Sequence, residues 1–417
     1  MGNDGHKAGP TPGSATASPG LPPIAHTVGA GRAPITIGIV AGEASGDALA
    51  AALIEATRAR FPHVRFAGIA GPRMEAAGCE AWYPMEKLAV RGFAEVIAHL
   101  PELFRIRGEL KRRLLAERVP LFVGVDAPDF NLGLERKLKR RGVRTIHFVS
   151  PSVWAWRRER LLTIGRSVDR MLALFPFERP LYEEAGIPVT YVGHPMAQGA
   201  ATHATRRETR ELLKLGAATP VFALLPGSRL SEIEMHADLV LDAAAKVCEA
   251  RPDVRFLAPF VTRATRDAFE AAMHREGRQP LPITLLYGHA ADALRAADVG
   301  IVASGTATLE AAFARCPHVI FYRVSRFTAW MVARKMLLPY VGLPNVLAGR
   351  FVVPEFLQTD ATADNLAQAA LNLFDDTVTR RRLEALFAGF AHELGADTGS
   401  LAAEALGSEL AHAGVAC

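Results

Sequence analysis

Cysteine is scarce in this chain of 417 residues, and the four present, Cys79, Cys248, Cys316 and Cys417, lie far apart without CxxC spacing. That argues against a disulfide framework or a zinc site and fits a reducing cytoplasm. Long apolar runs are absent as well: no stretch approaches the roughly 18 apolar residues a membrane-spanning helix needs. The N-terminus has no apolar signal core, and residues 1–33, mostly Gly, Pro, Ala, Ser and Thr, read as a disordered leader. No GxGxxG and no Walker lysine follow the first strand candidate, so the dinucleotide and P-loop readings are weak. No DxD pair is present to hold a metal against a phosphate, and no cofactor is implied.

What is present is an ordinary globular balance, 50% apolar and 22% charged, in a chain long enough for two or three domains. The net charge of +5 is uneven: residues 101–170 hold 17 Lys or Arg against 8 Asp or Glu. Such an excess suits nucleic acid, an anionic membrane surface or a phosphorylated substrate, or is a set of solvated helix faces.

From Ile35 on, short apolar runs alternate with amphipathic helical stretches. Strand candidates are Ile35–Ala41, Val64–Ala70, Leu121–Val125, Thr145–Val149, Met171–Phe175 and Val189–Val192. After a polar interruption, Gln198–Arg206, the rhythm restarts at Val221–Leu225, Arg255–Phe260, Ile283–Tyr287, Gly300–Ala303 and His318–Tyr322. A βαβα rhythm predicts parallel sheets covered on both faces. The expectation is an α/β protein of two Rossmann-like doubly wound domains facing a cleft. Residues 34–199 form the first, and residues 200–417, with a helical tail from Ala361, the second.

Ligands of open α/β sheets bind at the carboxyl ends of strands, so four loops there are candidates. Gly42-Glu43-Ala44-Ser45-Gly46-Asp47 allows a tight turn with Ser45 or Asp47 capping the next helix; its acidity suits a sugar better than a phosphate. Asp126-Ala127-Pro128-Asp129-Phe130-Asn131 follows the apolar run LFVGV. Asp126 is placed as a general base that the strand behind it should desolvate, and Asp129 as a helix cap. Both aspartates can equally be caps. Pro226-Gly227-Ser228-Arg229 offers backbone N–H groups at Gly227 and Ser228 and the guanidinium fork of Arg229 for phosphate oxygens. In Ser304-Gly305-Thr306-Ala307-Thr308-Leu309-Glu310, the helix N-terminus at Ser304, Gly305 and Thr306 suits a diphosphate, and Glu310 one turn on suits the ribose hydroxyls. The last two loops together describe a nucleoside-diphosphate site served without a metal.

Two stretches hint at lipid. Residues 85–118 combine Leu88, Phe93, Val96, Ile97, Leu100 and Leu103 with Arg105, Arg107, Lys111, Arg112 and Arg113, and residues Phe327–Leu338 interleave Trp330, Met331 and Met336 with Arg334 and Lys335. Each is either a membrane-interface or acyl-chain surface or a core-facing amphipathic helix.

These residues, in this order, resemble the bacterial lipid-A-disaccharide synthase family. The matching stretches are VAGEASGD (40–47), AGPRMEAAGCEAW (70–82), DAPDFN (126–131), HFVSPSVWAWR (147–157), LFPFE (174–178), LLPGSRLSEIE (224–234), ASGTATLE (303–310) and GLPNVLAGR (342–350). The resemblance implies a two-domain glycosyltransferase fold of the B type and a cytoplasmic enzyme at the inner face of the bacterial inner membrane. It implies an inverting transfer from UDP-2,3-diacylglucosamine to 2,3-diacylglucosamine 1-phosphate, giving the β-1,6-linked disaccharide 1-phosphate and UDP. Asp126 matches the base position, and Arg229, Glu310 and Asn345 match the UDP or diphosphate site. Glu43 and Ser45 match the loop facing the acceptor. Gln198 stands where the family often carries an acid. The competing readings are a UDP-sugar 2-epimerase on the same fold and an inactive nucleotide-binding or membrane-docking module.

Overall fold

The computed structural model describes residues 34–88, 93–155, 158–198, 204–325 and 336–415, with the backbone alone for 93–99. The expected leader 1–33, the boundary at 199/200 and most of the apolar stretch 327–338 lie outside the described residues.

The first lobe is built from β1 (Ile35–Ala41), α1 (Ala44–Arg60), β2 (Val64–Ala70), α2 (Pro72–Ala76), β3 (Cys79–Pro84), α3 (Phe93–Ala116), β4 (Leu121–Val125), α4 (Pro128–Lys139), β5 (Arg144–Phe148), α5 (Arg160–Gly165), β6 (Arg170–Ala173), α6 (Arg179–Glu184) and β7 (Val189–Tyr191). Its seven strands run in the order β3-β2-β1-β4-β5-β6-β7, with every described pair parallel. The order reverses between β1 and β4, and at such a switch point the strand-end loops diverge and leave a crevice.

The second lobe comprises α7 (Arg206–Leu212), β8 (Val221–Leu225), α8 (Leu230–Ala250), β9 (Arg255–Phe260), α9 (Arg263–Met273), β10 (Ile283–Tyr287), α10 (Ala290–Ala296), β11 (Val299–Ala303), α11 (Thr306–Phe313), β12 (His318–Tyr322), α12 (Leu343–Ala348), β13 (Glu355–Leu357), α13 (Ala363–Asp375) and α14 (Thr377–Leu394). Its parallel sheet has the order β10-β9-β8-β11-β12-β13, with the switch between β8 and β11.

The central strands are apolar throughout because helices cover both faces. Leu121, Phe122, Val123 and Val125 of β4 are wholly buried; a side chain of this kind contributes about 1.5–3 kcal/mol on burial. The strands β3 (CEAWYP) and β13 (EFL) escape apolar patterning because they lie at sheet edges, where β3 buries only Cys79 and β13 is half-buried throughout. β5 ends one residue before its expected limit because Val149 leaves extended backbone, at φ 81°.

The tail departs from expectation. α13 and α14 stay with the second sheet, where Leu366, Ala370, Leu383 and Phe387 join its core. A final helix, α15 (Thr398–His412), returns to the first lobe and packs Ala402, Leu406 and Leu410 against Leu49, Leu53 and Ile54 of α1. Its Glu409, 1% exposed, accepts hydrogen bonds from Arg144 Nε at 2.9 Å and Arg170 Nε at 2.8 Å, at the starts of β5 and β6.

Where the chain crosses, His194 N donates to Leu394 O and Gln198 Nε2 donates to Ala396 O at 2.8 Å. Gln198 thus secures the crossover through its side-chain amide. Beside it, Leu309 and Phe313 of α11 pack on Phe175, Tyr191 and Met196 of the first lobe, and Leu337 N donates to Ala155 O. Phe175 and Ala155 follow strands of the first sheet and α11 follows β11, so the lobes meet through their carboxyl edges.

Candidate active site

At the first sheet's carboxyl edge, Ala41 and Val125 are paired in register, so the loops after β1 and β4 leave side by side. A Cβ on Gly42 would stand 2.7 Å from the Ala127 Cβ, so nothing larger than glycine fits there. This contact sets the Glu43–Ser45 segment against the Asp126 loop. Glu43 and Ser45 are exposed. Glu43 is the N-cap of α1 but makes no side-chain cap bond.

Asp47, expected as a cap for α1, does something else. It is 3% exposed, and its two carboxylate oxygens accept from Arg73 N and Met74 N at 3.0 Å each. It therefore caps α2 and ties VAGEASGD to AGPRM through bonds between residues 26 and 27 apart in sequence.

Asp126 is half-buried at the end of β4 and has left-handed backbone, φ 51°, as has Ala127 at φ 42°. Val149, on the neighbouring strand's exit, is also left-handed. For a β-branched residue this is a genuine outlier. Such conformations cost about 1–3 kcal/mol each and cluster at functional sites. Local bonds hold the turn: Asp126 N donates to Phe148 O at 2.8 Å, and Asn131 Nδ2 donates to Asp126 O at 2.8 Å. Asp129 is not the expected cap. The N-cap of α4 is Ala127, and Asp129 lies in the first turn, paired to Arg160.

The second lobe presents two loops of different character. Gly227 has φ 141°, and a Cβ there would meet the Glu232 carboxylate at 2.7 Å. Glu232, one turn into α8, accepts from Ser228 N at 2.8 Å and Arg229 N at 3.2 Å. Of the two N–H groups expected to meet phosphate, that of Ser228 is thus held by a carboxylate that loop-by-loop reading missed; its signal was the spacing of a capping box, with an acid three residues after the N-cap. The Arg229 guanidinium stays two-thirds exposed, 3.6 Å from Glu232.

The loop after β11 is open. Gly305 has φ 149°, and no side chain caps α11. Ser304 is half-buried, and Gly305 and Thr306 are exposed. Glu310, half-buried one turn along, has no hydrogen-bonding partner among the described residues, and burial pushes its carboxyl up. A half-buried acid beside an uncapped helix N-terminus can receive hydroxyl donors next to an anion.

Asn345, expected in the UDP site, does not face a ligand. It is wholly buried: Nδ2 donates to Val353 O at 3.0 Å and Glu355 Oε1 at 2.6 Å, and Oδ1 accepts from Val352 N and Val353 N. All four of its hydrogen-bonding positions are occupied, so it shapes the 341–355 loop from within. Among the described residues no group of three His, Cys, Asp or Glu is placed to hold a metal ion.

The two parallel sheets and the strand-end loops that meet at the lobe junction define a glycosyltransferase fold of the B type. A family model described as lipid-A-disaccharide synthetase matches residues 37–398. The lipid-A-disaccharide synthase of Chromobacterium violaceum is 51% identical over 372 residues, 89% of this chain and 96% of that one. The chain belongs to the lipid-A-disaccharide synthase family and is a glycosyltransferase of lipid A biosynthesis. Among solved structures, a putative UDP-N-acetylglucosamine 2-epimerase from Listeria monocytogenes has a TM-score of 0.59 at 14% identity, covering 91% of this chain and 97% of that one. The glycotransferase of kitacinnamycin has a TM-score of 0.59 at 17% identity, covering 90% and 99%. At such identities the likeness is one of fold alone, so the epimerase reading rests on shared architecture and not on family.

Proposed function

We propose that the enzyme joins UDP-2,3-diacylglucosamine to 2,3-diacylglucosamine 1-phosphate. The acceptor's 6-hydroxyl oxygen attacks the donor's anomeric carbon from the face opposite the diphosphate. The bond from that carbon to the diphosphate oxygen breaks, UDP leaves, and the configuration inverts to give the β-1,6-linked disaccharide 1-phosphate. Attack needs the hydroxyl proton removed as the bond forms. Asp126 takes it, and Glu43 and Ser45 orient the acceptor sugar. On the donor side the Arg229 guanidinium and the α11 N-terminus at Ser304, Gly305 and Thr306 neutralise the leaving diphosphate, and Gly227, beside Ser228, leaves room for its close approach. Glu310 accepts the ribose hydroxyls.

The observation that carries this reading is the left-handed turn at Asp126, which directs a half-buried carboxylate out of the end of an apolar strand. The test is disaccharide formation from the two acylated sugars in detergent, with EDTA present. UDP release without disaccharide, or conversion of UDP-N-acetylglucosamine to its 2-epimer, would overturn it. Turnover lost on chelation and restored by magnesium would overturn the metal-free donor site.

Both substrates carry acyl chains, and the enzyme works at the cytoplasmic face of the inner membrane. The support is α3, with Phe104 58% exposed and Leu100 beside it, and a cationic face shared with α4. There burial and the neighbouring Arg107, Lys111 and Arg136 hold Lys137 below its usual pKa. Arg113, by contrast, lies over the Trp82 ring and 3.3 Å from Glu80.

A further inference from the structure

Beneath the Asp126 turn runs a buried polar column. Asn131 and Glu135 lie one turn apart on α4, and both are wholly buried, as is His147 of β5. Asn131 Nδ2 reaches the carbonyl of Asp126 at 2.8 Å and, more weakly, that of Val125 at 3.4 Å. Glu135 Oε1 lies 2.7 Å from His147 Nδ1, a hydrogen bond across to the next strand. His147 is paired in register with Gly124. A Cβ on Gly124 would stand 2.2 Å from Glu135 Oε1 and 2.9 Å from the Asn131 Cβ, so the missing side chain makes the column's room.

The column is expensive. Asn131 Oδ1, Glu135 Oε2 and His147 Nε2 are buried with no hydrogen-bond partner among the described residues, and each loses its hydration without a bond in return. Burial pushes the Glu135 carboxyl up, against the opposing pull of His147. An apolar pair would fill the same space between helix and sheet at lower cost. Its position suggests what offsets the expense. The Glu135–His147 bond fixes how far along β4 and β5 the helix α4 sits, and Asn131, on that helix, holds the peptide after β4 in a conformation it would otherwise leave.

We propose that Asn131, Glu135 and His147 are positioning residues that hold the Asp126 carboxylate in line with the acceptor hydroxyl. This rests on the reading of Asp126 as base. A structural role and a positioning role predict different results for the double variant Glu135→Leu/His147→Phe. Positioning predicts a Tm equal to or above wild type and UDP affinity within about twofold, while kcat falls about 10–100-fold, the scale of a misplacement near 1 Å. Glu135→Gln, which keeps a hydrogen bond to the imidazole, recovers most of the turnover. A folded double variant with wild-type kcat would overturn the proposal. If that variant does not fold, Asn131→Ser removes the contact to the Asp126 carbonyl and should show the same split, kcat down and UDP affinity kept; normal kcat there overturns it equally. A cycle separates this failure from failure of the base. Adding the Leu/Phe pair to Asp126→Asn should cost little further turnover, and fully additive losses would place the column's effect elsewhere. Normal turnover by Asp126→Asn alone removes the base assignment and the proposal with it. Turnover lost by Asp126→Asn but kept by every column variant removes the positioning role only.

Discussion

At the first sheet's carboxyl edge the positive-φ positions around the proposed base are Asp126, Ala127 and Val149, none of them glycine; at the donor loops of the second sheet they are Gly227 and Gly305. The difference follows from what each edge has to present. A base needs a side chain in a fixed direction, so the backbone takes a conformation that L residues resist, and buried bonds from Asn131 and Phe148 hold it there. A diphosphate needs backbone N–H groups at close range, which glycine allows without strain. In the proposed mechanism the first lobe acts through one carboxylate on a held turn, and the second through the uncapped α11 N-terminus and the exposed Arg229 guanidinium beside Glu232.

The largest effect that sharpens this comparison is expected at the base. Asp126→Asn should lower kcat by about 10²–10⁴ with little change in UDP affinity, while Glu43→Gln should act mainly through the acceptor KM. Steady-state kinetics with both substrates varied checks the pair, and the reverse pattern assigns the base to Glu43. Next is the donor lobe. Arg229→Ala removes charge-assisted bonds worth about 1.5–3 kcal/mol, so UDP affinity should fall about 10–150-fold. Glu310→Ala should weaken UDP more than free diphosphate in calorimetric titration. Equal losses for the two ligands would remove its ribose role.

A smaller effect concerns the junction. Glu178, 2% exposed, accepts from Phe175 N at 3.1 Å, and burial pushes its carboxyl up to about 8 from an ordinary 4.5. Its folded pKa lies above its unfolded one, so its contribution to stability is complete below about 4.5 and is lost as pH rises through about 8. Thermal melts across that window should show wild type losing Tm relative to Glu178→Gln, and parallel curves would contradict the assignment. The smallest effect is at the membrane. Lys111→Glu/Lys137→Glu should reduce binding to anionic vesicles, most visibly below about 0.15 M salt, where screening lengths exceed about 8 Å. Activity in detergent should stay largely intact. Cosedimentation insensitive to salt and to the substitutions would make this face merely solvated.

Much of the fold was legible because β-strands buried on both faces read as apolar runs bounded by loop residues. β1, β2, β4, β8, β9, β10 and β12 keep the limits their apolar runs predict. The edge strands β3 and β13 were not legible, since each carries a glutamate in a short, partly exposed run, whereas the edge strand β10 (ITLLY) carries no charge. Of the candidate site, the loops were readable as strand exits. What each side chain does within them was less so: Asp47, Asp129 and Asn345 turn inward or sideways, and Glu232 holds the Ser228 N–H assigned to a ligand. Such roles depend on partners that the one-dimensional pattern does not bring together.

Periodicity, glycine placement and the order of strand-end motifs determined two doubly wound lobes, the edges that carry chemistry and the family. Tertiary structure alone decided that α15 leaves its own lobe to pack on α1, because an Ala- and Leu-rich face fits either sheet and only the buried Glu409 between Arg144 and Arg170 selects one. It alone decided, too, that Asn131, Glu135 and His147 line up beneath Asp126, because Glu135 and His147, 12 residues apart on a helix and a strand, meet only once the strand register places His147 opposite Gly124.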